Sequence, residues 1–187
     1  MSQKIATEKL RTNVAEYLLY MWQIEDIVRS FAFDLDAIEF QMIRPVVTNE
    51  EEVKSELLWY KEVVRSMKEE GLEKKGHMSK LRDLVAELNF IHQSLLSMSY
   101  DESYKDLVED SKTYLDDFRI LSQAGQMNDV ELCLNGLYAK LLLRLKKQTI
   151  SPETEKAFDA FRKIISRVSS QYHKSKQNER DFHFHMN

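Results

Sequence analysis

Cysteine, glycine and proline are all scarce in this 187-residue chain, which has one, four and two of them respectively. A single cysteine, Cys133, excludes an internal disulfide and suits a reducing compartment. Glycine and proline punctuate turns, so their scarcity predicts few, long elements with short connections. Four glycines also leave no room for a glycine-rich phosphate cradle of the nucleotide-binding kind. There is no run of about twenty apolar residues, so no membrane-spanning segment is expected. Met1-Ser2-Gln3-Lys4 leads directly into charged, helix-favouring sequence, which predicts no secretory signal and hence a cytoplasmic protein. Positive charge is also in deficit, with 27 Lys and Arg against 31 Asp and Glu and a net charge of −4. That balance argues against nucleic acid and anionic membranes as partners.

What is present is a strong helical rhythm. Apolar residues recur at Leu10, Val14, Tyr17, Met21, Ile24, Val28, Phe31, Leu35, Ile38 and Met42, in alternating steps of four and three that place them on one helical face. The reading is a first helix over about 4–43, ended by Arg44-Pro45 and open to a break near 33–36, where Asp34 can cap a new helix. Thr48 or Asn49 starts a second helix, with Val53, Leu57, Tyr60, Val64 and Met67 on its apolar face. The polar segment between Gly71 and Gly76 reads as a loop. Further stripes run through Leu81, Leu84, Leu88, Ile91 and Leu95, and through Tyr104, Val108, Leu115 and Phe118. Ser99 with Glu102 reads as a capping box for the second of these, and Gly125 as its C-terminal cap.

Asn128 with Glu131 opens the next helix, which is apolar on almost every side from Leu132 to Leu145 and therefore reads as central. Gly136 sits inside it at a cost of roughly 1 kcal/mol against alanine, which a close approach by another helix would explain. Ser151-Pro152 starts the last helix. The result is an all-α bundle of six or seven helices, a single domain over 1–176 with the first and sixth helices at its centre, and a polar, flexible tail at 177–187. Within that tail, alternating Phe182-His183-Phe184-His185 reads as a disordered terminus.

No sequence pattern supplies chemistry. His-Glu-x-x-His, paired Cys-x-x-Cys and Gly-x-Ser-x-Gly are absent, so no catalytic residue, metal ligand or cofactor is assigned. Cys133 reads as a small core residue. The candidate ligand-binding residues are Trp22, Tyr20, Glu25 and Arg29 on the first helix, together with His92 on the apolar side of its own. Arg29 lies one turn from Glu25 and Asp26, which predicts an ion pair. His77, following Gly76, reads as exposed. The wide apolar coverage of the first helix, with Leu18, Leu19, Ala32 and Phe33 off its main stripe, predicts surplus apolar surface and hence a protein partner or a homodimer. The expected role is therefore an interaction or structural one rather than enzymatic. The alternative is a small-molecule- or metal-binding helical protein, with a polar-aromatic pocket on the first helix.

At Ala15-Glu16-Tyr17-Leu18-Leu19-Tyr20-Met21-Trp22-Gln23-Ile24-Glu25-Asp26, and again at Ile150-Ser151-Pro152-Glu153-Thr154, the chain resembles a bacterial family of all-helical proteins classed as a domain of unknown function. The resemblance runs over most of the chain. It implies a helical fold and a bacterial, cytoplasmic origin, and it carries no active residue, cofactor or partner.

Overall fold

A computed structural model describes residues 2–97 and 101–185, with side chains as far as residue 178. Among the described residues there is no strand. The helices are α1 Gln3–Thr12, α2 Val14–Ser30, α3 Leu35–Ile38, α4 Glu50–Glu69, α5 Ser79–Ser97, α6 Glu102–Leu121, α7 Asp129–Leu145 and α8 Pro152–His185, with a π-helical turn at Glu39–Ile43 after α3.

Eight helices replace the expected six or seven because the long first helix does not exist as one element. It breaks first at Asn13. The Val14 N–H, which an unbroken helix would give to the Leu10 carbonyl, donates instead to His173 Nε2 at 3.0 Å. It breaks again after Ser30, where Ala32 (φ 50°) and Phe33 (φ 63°) both adopt the left-handed conformation. Phe33 N–H closes that end onto the Val28 carbonyl at 3.0 Å. Asp34 then caps α3, accepting from the Asp36 and Ala37 amides, as the sequence predicts for a break at this point. The apolar stripe survives both interruptions, which is why periodicity alone does not reveal them.

Caps set most other boundaries. Asn49, not Thr48, caps α4, accepting from the Glu51 and Glu52 amides. Asn128 accepts from Glu131 N–H at 2.9 Å, and Ser151 Oγ accepts from Thr154 N–H at 3.1 Å. Gly71, at φ +67°, ends α4 in the left-handed conformation, and Leu72 N–H returns to the Met67 carbonyl at 2.8 Å. Gln123 (φ 54°), not Gly125, takes the equivalent position after α6. Ser99 lies outside the described residues. The backbone of α8 is helical as far as His185, through most of the 177–187 segment that the sequence sets apart as a tail.

The chain divides into two compact units, one formed by residues 1–12 and 16–83, the other by 13–15 and 84–187. In the first, α3 and the π-helical turn pack on α4, and Met21, Ile24, Val28, Val53, Tyr60 and Met67 form the core. In the second, α6, α7 and α8 pack against one another. There Leu115, Leu132, Leu134, Phe161, Ile164 and Val168 are buried. Gly136 is the point of closest approach, where a Cβ would stand 2.6 Å from Phe161 Cδ2. Cys133 is fully buried, and burial pushes its thiol well above the ordinary range.

Candidate functional site

Residues 22, 25 and 29 on α2 are separated by three and four positions, so they line one face of the helix. That face meets the loop between α4 and α5, bounded by Gly71 and by Gly76 at φ +92°. Glu25 is wholly buried. One of its carboxylate oxygens lies 2.6 Å from His77 Nδ1, and the other accepts the Met78 N–H at 2.8 Å. The indole of Trp22, itself buried, stacks on the His77 ring at 4.3 Å between centroids and 15° between planes. Arg29 completes the hold on the loop. Its Nε donates to the Leu72 carbonyl at 3.0 Å, Nη2 donates to the Gly76 carbonyl, and Nη1 pairs with Asp26 at 2.9 Å. From the far end of α4, Glu70 accepts from both the amide and the hydroxyl of Ser79. Glu25 and Glu70 thus meet N–H groups that the start of α5 leaves unsatisfied.

The structure brings together three of the five residues singled out in the sequence, Trp22, Glu25 and Arg29, and adds one that sequence reasoning leaves on the surface. His77 is half-buried and paired with Glu25. The expected ion pair is correspondingly divided, with Arg29 on Asp26 and Glu25 on the histidine. No local signal marks His77, since its partner is 52 residues away in sequence.

Tyr20 has a separate role. Its hydroxyl accepts the Ser2 N–H at 2.5 Å and donates to the Ser2 carbonyl at 3.0 Å, so it fastens the start of the chain. Burial raises its pKa to about 12. His92 has partners of its own in the second unit. It is fully buried, with Nδ1 2.6 Å from the Tyr104 hydroxyl and Nε2 3.8 Å from Asp129 Oδ2. His92 and then Arg119, the latter at 2.6 Å, hold the Asp129 carboxyl below its ordinary range against the opposing effect of burial. At 3.8 Å the histidine makes a charge contact rather than a hydrogen bond, so the guanidinium is the firmer partner.

Burial also raises Tyr17, Tyr60 and Tyr104 above the ordinary tyrosine value of 10.0. A phenol whose pKa is higher folded than unfolded contributes stability that is complete below the unfolded value and is lost as pH rises through the folded one. Thermal melts between pH 9 and 12 should therefore show Tm falling from about pH 10 upward. Phenolate absorbance should appear together with unfolding rather than before it. Tyrosines that titrate freely at pH 10 in the folded protein would contradict this.

Two surface clefts lie elsewhere. One of about 710 Å³ is lined by Gln3, Thr7, Arg11, Glu52 and Glu56, and one of about 540 Å³ by Asp110, Tyr114, Glu155, Asp159 and Lys163. Neither is lined by Trp22, Glu25 or Arg29. Among the described residues no group of three or more His, Cys, Asp or Glu side chains converges to hold a metal ion. No described helix is long and apolar enough to cross a membrane.

The family described as Domain of unknown function (DUF4924) matches residues 3–179. The chain belongs to that family. No curated protein and no solved structure matches it. Membership in DUF4924 thus attaches no activity to the cluster around Glu25, and its chemistry has to be argued from geometry.

Proposed function

We propose that this DUF4924 protein is a cytoplasmic interaction module that self-associates through the second half of α7. The surface that supports this is not the one expected from sequence. Leu18, off the main stripe of the first helix, is buried within the chain. On α7 the contrast runs along the helix. Val130, Leu132, Cys133 and Leu134 are buried, whereas Leu137, Tyr138, Leu141, Leu142 and Leu143 are only half-covered and Leu145 is 66% exposed. A helix end that is apolar on every side yet partly open to solvent is the observation that carries the reading.

A second copy of the chain is the occupant that fits. No acidic residue interrupts α7 between Asn135 and Gln148, so the leucine surface can face itself across a two-fold axis. Exposed Arg144, Lys146 and Lys147 follow it, and exposed Glu102, Asp106, Glu109 and Asp110 lie on α6. Each copy therefore offers both signs of charge at the rim. The lone buried thiol is in keeping with a reducing compartment.

Light scattering on the size-exclusion peak should give twice the chain mass at micromolar concentration. Leu141→Glu with Leu145→Glu should give the single-chain mass with an unchanged helical circular dichroism spectrum. Each leucine should weaken association by about tenfold or more, because burying one is worth about 1.5–3 kcal/mol. A wild-type chain that stays monomeric would refute the reading.

A second reading, ligand binding on the first-helix region, is supported by the convergence of Trp22, Glu25 and Arg29 on one loop. Metal analysis of the purified protein and calorimetric titration with small ligands test it. The expected signal is one that Arg29→Ala reduces.

A further inference from the structure

We propose that His77 Nε2 is a phosphoryl-accepting nucleophile, activated by the buried carboxylate of Glu25. The inference is independent of self-association through α7. Its starting point is the 2.6 Å contact between Glu25 Oε2 and His77 Nδ1. A carboxylate only accepts hydrogen bonds, so the proton of this contact belongs to Nδ1. The neutral ring then carries its lone pair on Nε2, and that nitrogen has no hydrogen-bond partner among the described residues. Glu25 cannot turn away, because its second oxygen is committed to the Met78 amide. Nor can the ring turn over easily, being stacked on Trp22 in a loop whose backbone Arg29 grips at Leu72 and Gly76. With 32% of its side chain exposed, the imidazole is still reachable. A nucleophile held by an adjacent, itself oriented acidic group is the arrangement covalent catalysis uses.

The loop suggests the class of group transferred. Lys74 and Lys75, both exposed, directly precede Gly76 and His77, so two positive charges stand within three residues of the imidazole. An incoming phosphoryl group is anionic and is favoured there. In the transfer the Nε2 lone pair forms an N–P bond while the phosphorus–leaving-group bond breaks. With phosphoramidate as donor, the bonding pair departs on the leaving nitrogen as ammonia. The Nδ1 proton stays between the ring and Glu25, whose negative charge stabilises the cationic ring so formed. No oxidant or reductant is consumed.

The full-length protein is incubated with phosphoramidate, and each histidine-containing peptide is followed by mass spectrometry. His77 should be phosphorylated faster than His92, which is buried, and faster than His173, whose Nε2 already accepts the Val14 N–H. Glu25→Gln is the informative variant. If its amide oxygen keeps the Met78 N–H, its NH2 faces Nδ1, and the ring must move its proton to Nε2 to accept that bond. The fold is then retained while the lone pair at Nε2 is lost. Labelling of His77 should fall by about ten- to a hundredfold, the scale on which loss of a histidine's carboxylate partner is felt. ¹⁵N NMR of the imidazole should report the switched tautomer. Lys74→Ala with Lys75→Ala, at exposed positions, should slow phosphorylation but leave reaction with the uncharged electrophile diethyl pyrocarbonate unchanged. Labelling of His77 no faster than that of the other histidines, or unaffected by Glu25→Gln, would overturn the proposal. Equal phosphorylation of the double lysine variant would overturn the phosphoryl assignment.

Discussion

Valine at position 136 should destabilise the second unit by about 3 kcal/mol or more, and alanine there by about 1–2 kcal/mol, although both are better helix formers than the glycine they replace. A Cβ built on Gly136 stands 2.6 and 2.7 Å from two carbons of the Phe161 ring and 3.5 Å from Phe118 Cε1. Unbonded carbons rest about 3.5–4.0 Å apart, so the ring would have to move by nearly an ångström. Phe161 is fully buried, packed near Phe118 and Phe158, and has nowhere to go. The propensity gain of about 1 kcal/mol is therefore outweighed by overpacking, which costs about 1–3 kcal/mol for a single added group. For a chain of this size that is a fall in Tm of about 2–4 °C per kcal/mol. Gly125→Ala is the control, since nothing lies within 4 Å of a Cβ there. Phe161→Leu should recover part of the loss in the Gly136→Ala background, because the two changes act on the same few cubic ångströms. A Gly136→Ala protein more stable than wild type would show that the α7–α8 approach is looser than this.

Gly136 also marks the limit of what the sequence discloses. A glycine inside an apolar helix says that something comes close; it does not say that the neighbour is Phe161, 25 residues on. Local features are legible because their cause is local. Asp34, Asn128 and Ser151 bond to amides two or three residues away, and a reader of the sequence finds them. The break at Asn13 is hidden because its cause is His173 at the other end of the chain. For the same reason Trp22, Glu25 and Arg29 can be recognised as one helical face, while His77, the residue they hold, cannot. On α7 the sequence shows correctly that leucines cover every side. It cannot show whether the chain's own helices or another molecule's cover them, and here the chain covers only the first half.

Truncating Glu25 to alanine should cost the first unit about 3–5 kcal/mol, far more than truncating His77, although the two side chains share one contact. The asymmetry follows from burial. Glu25 satisfies two donors, His77 Nδ1 and the amide of Met78, and Met78 is itself fully buried. Without the carboxylate that amide has no acceptor within a dry region, and an unsatisfied buried donor costs about 1–3 kcal/mol on its own. The imidazole loses its partner as well, and the space the side chain filled becomes a cavity under Trp22. In His77→Ala, by contrast, the Met78 bond survives, and water can reach the vacated side because the imidazole is one-third exposed. The loop between Gly71 and Met78 should respond in step. In Glu25→Ala the amides of Met78 and the first turn of α5 should lose hydrogen-exchange protection, because the groups that fasten them, Glu25 and Glu70, are reduced to Glu70 alone. In Glu25→Gln, which can still accept the Met78 N–H, protection of that amide should remain near wild type. Equal destabilisation by Glu25→Ala and His77→Ala would mean that the stacked imidazole, not the carboxylate, holds the loop in place.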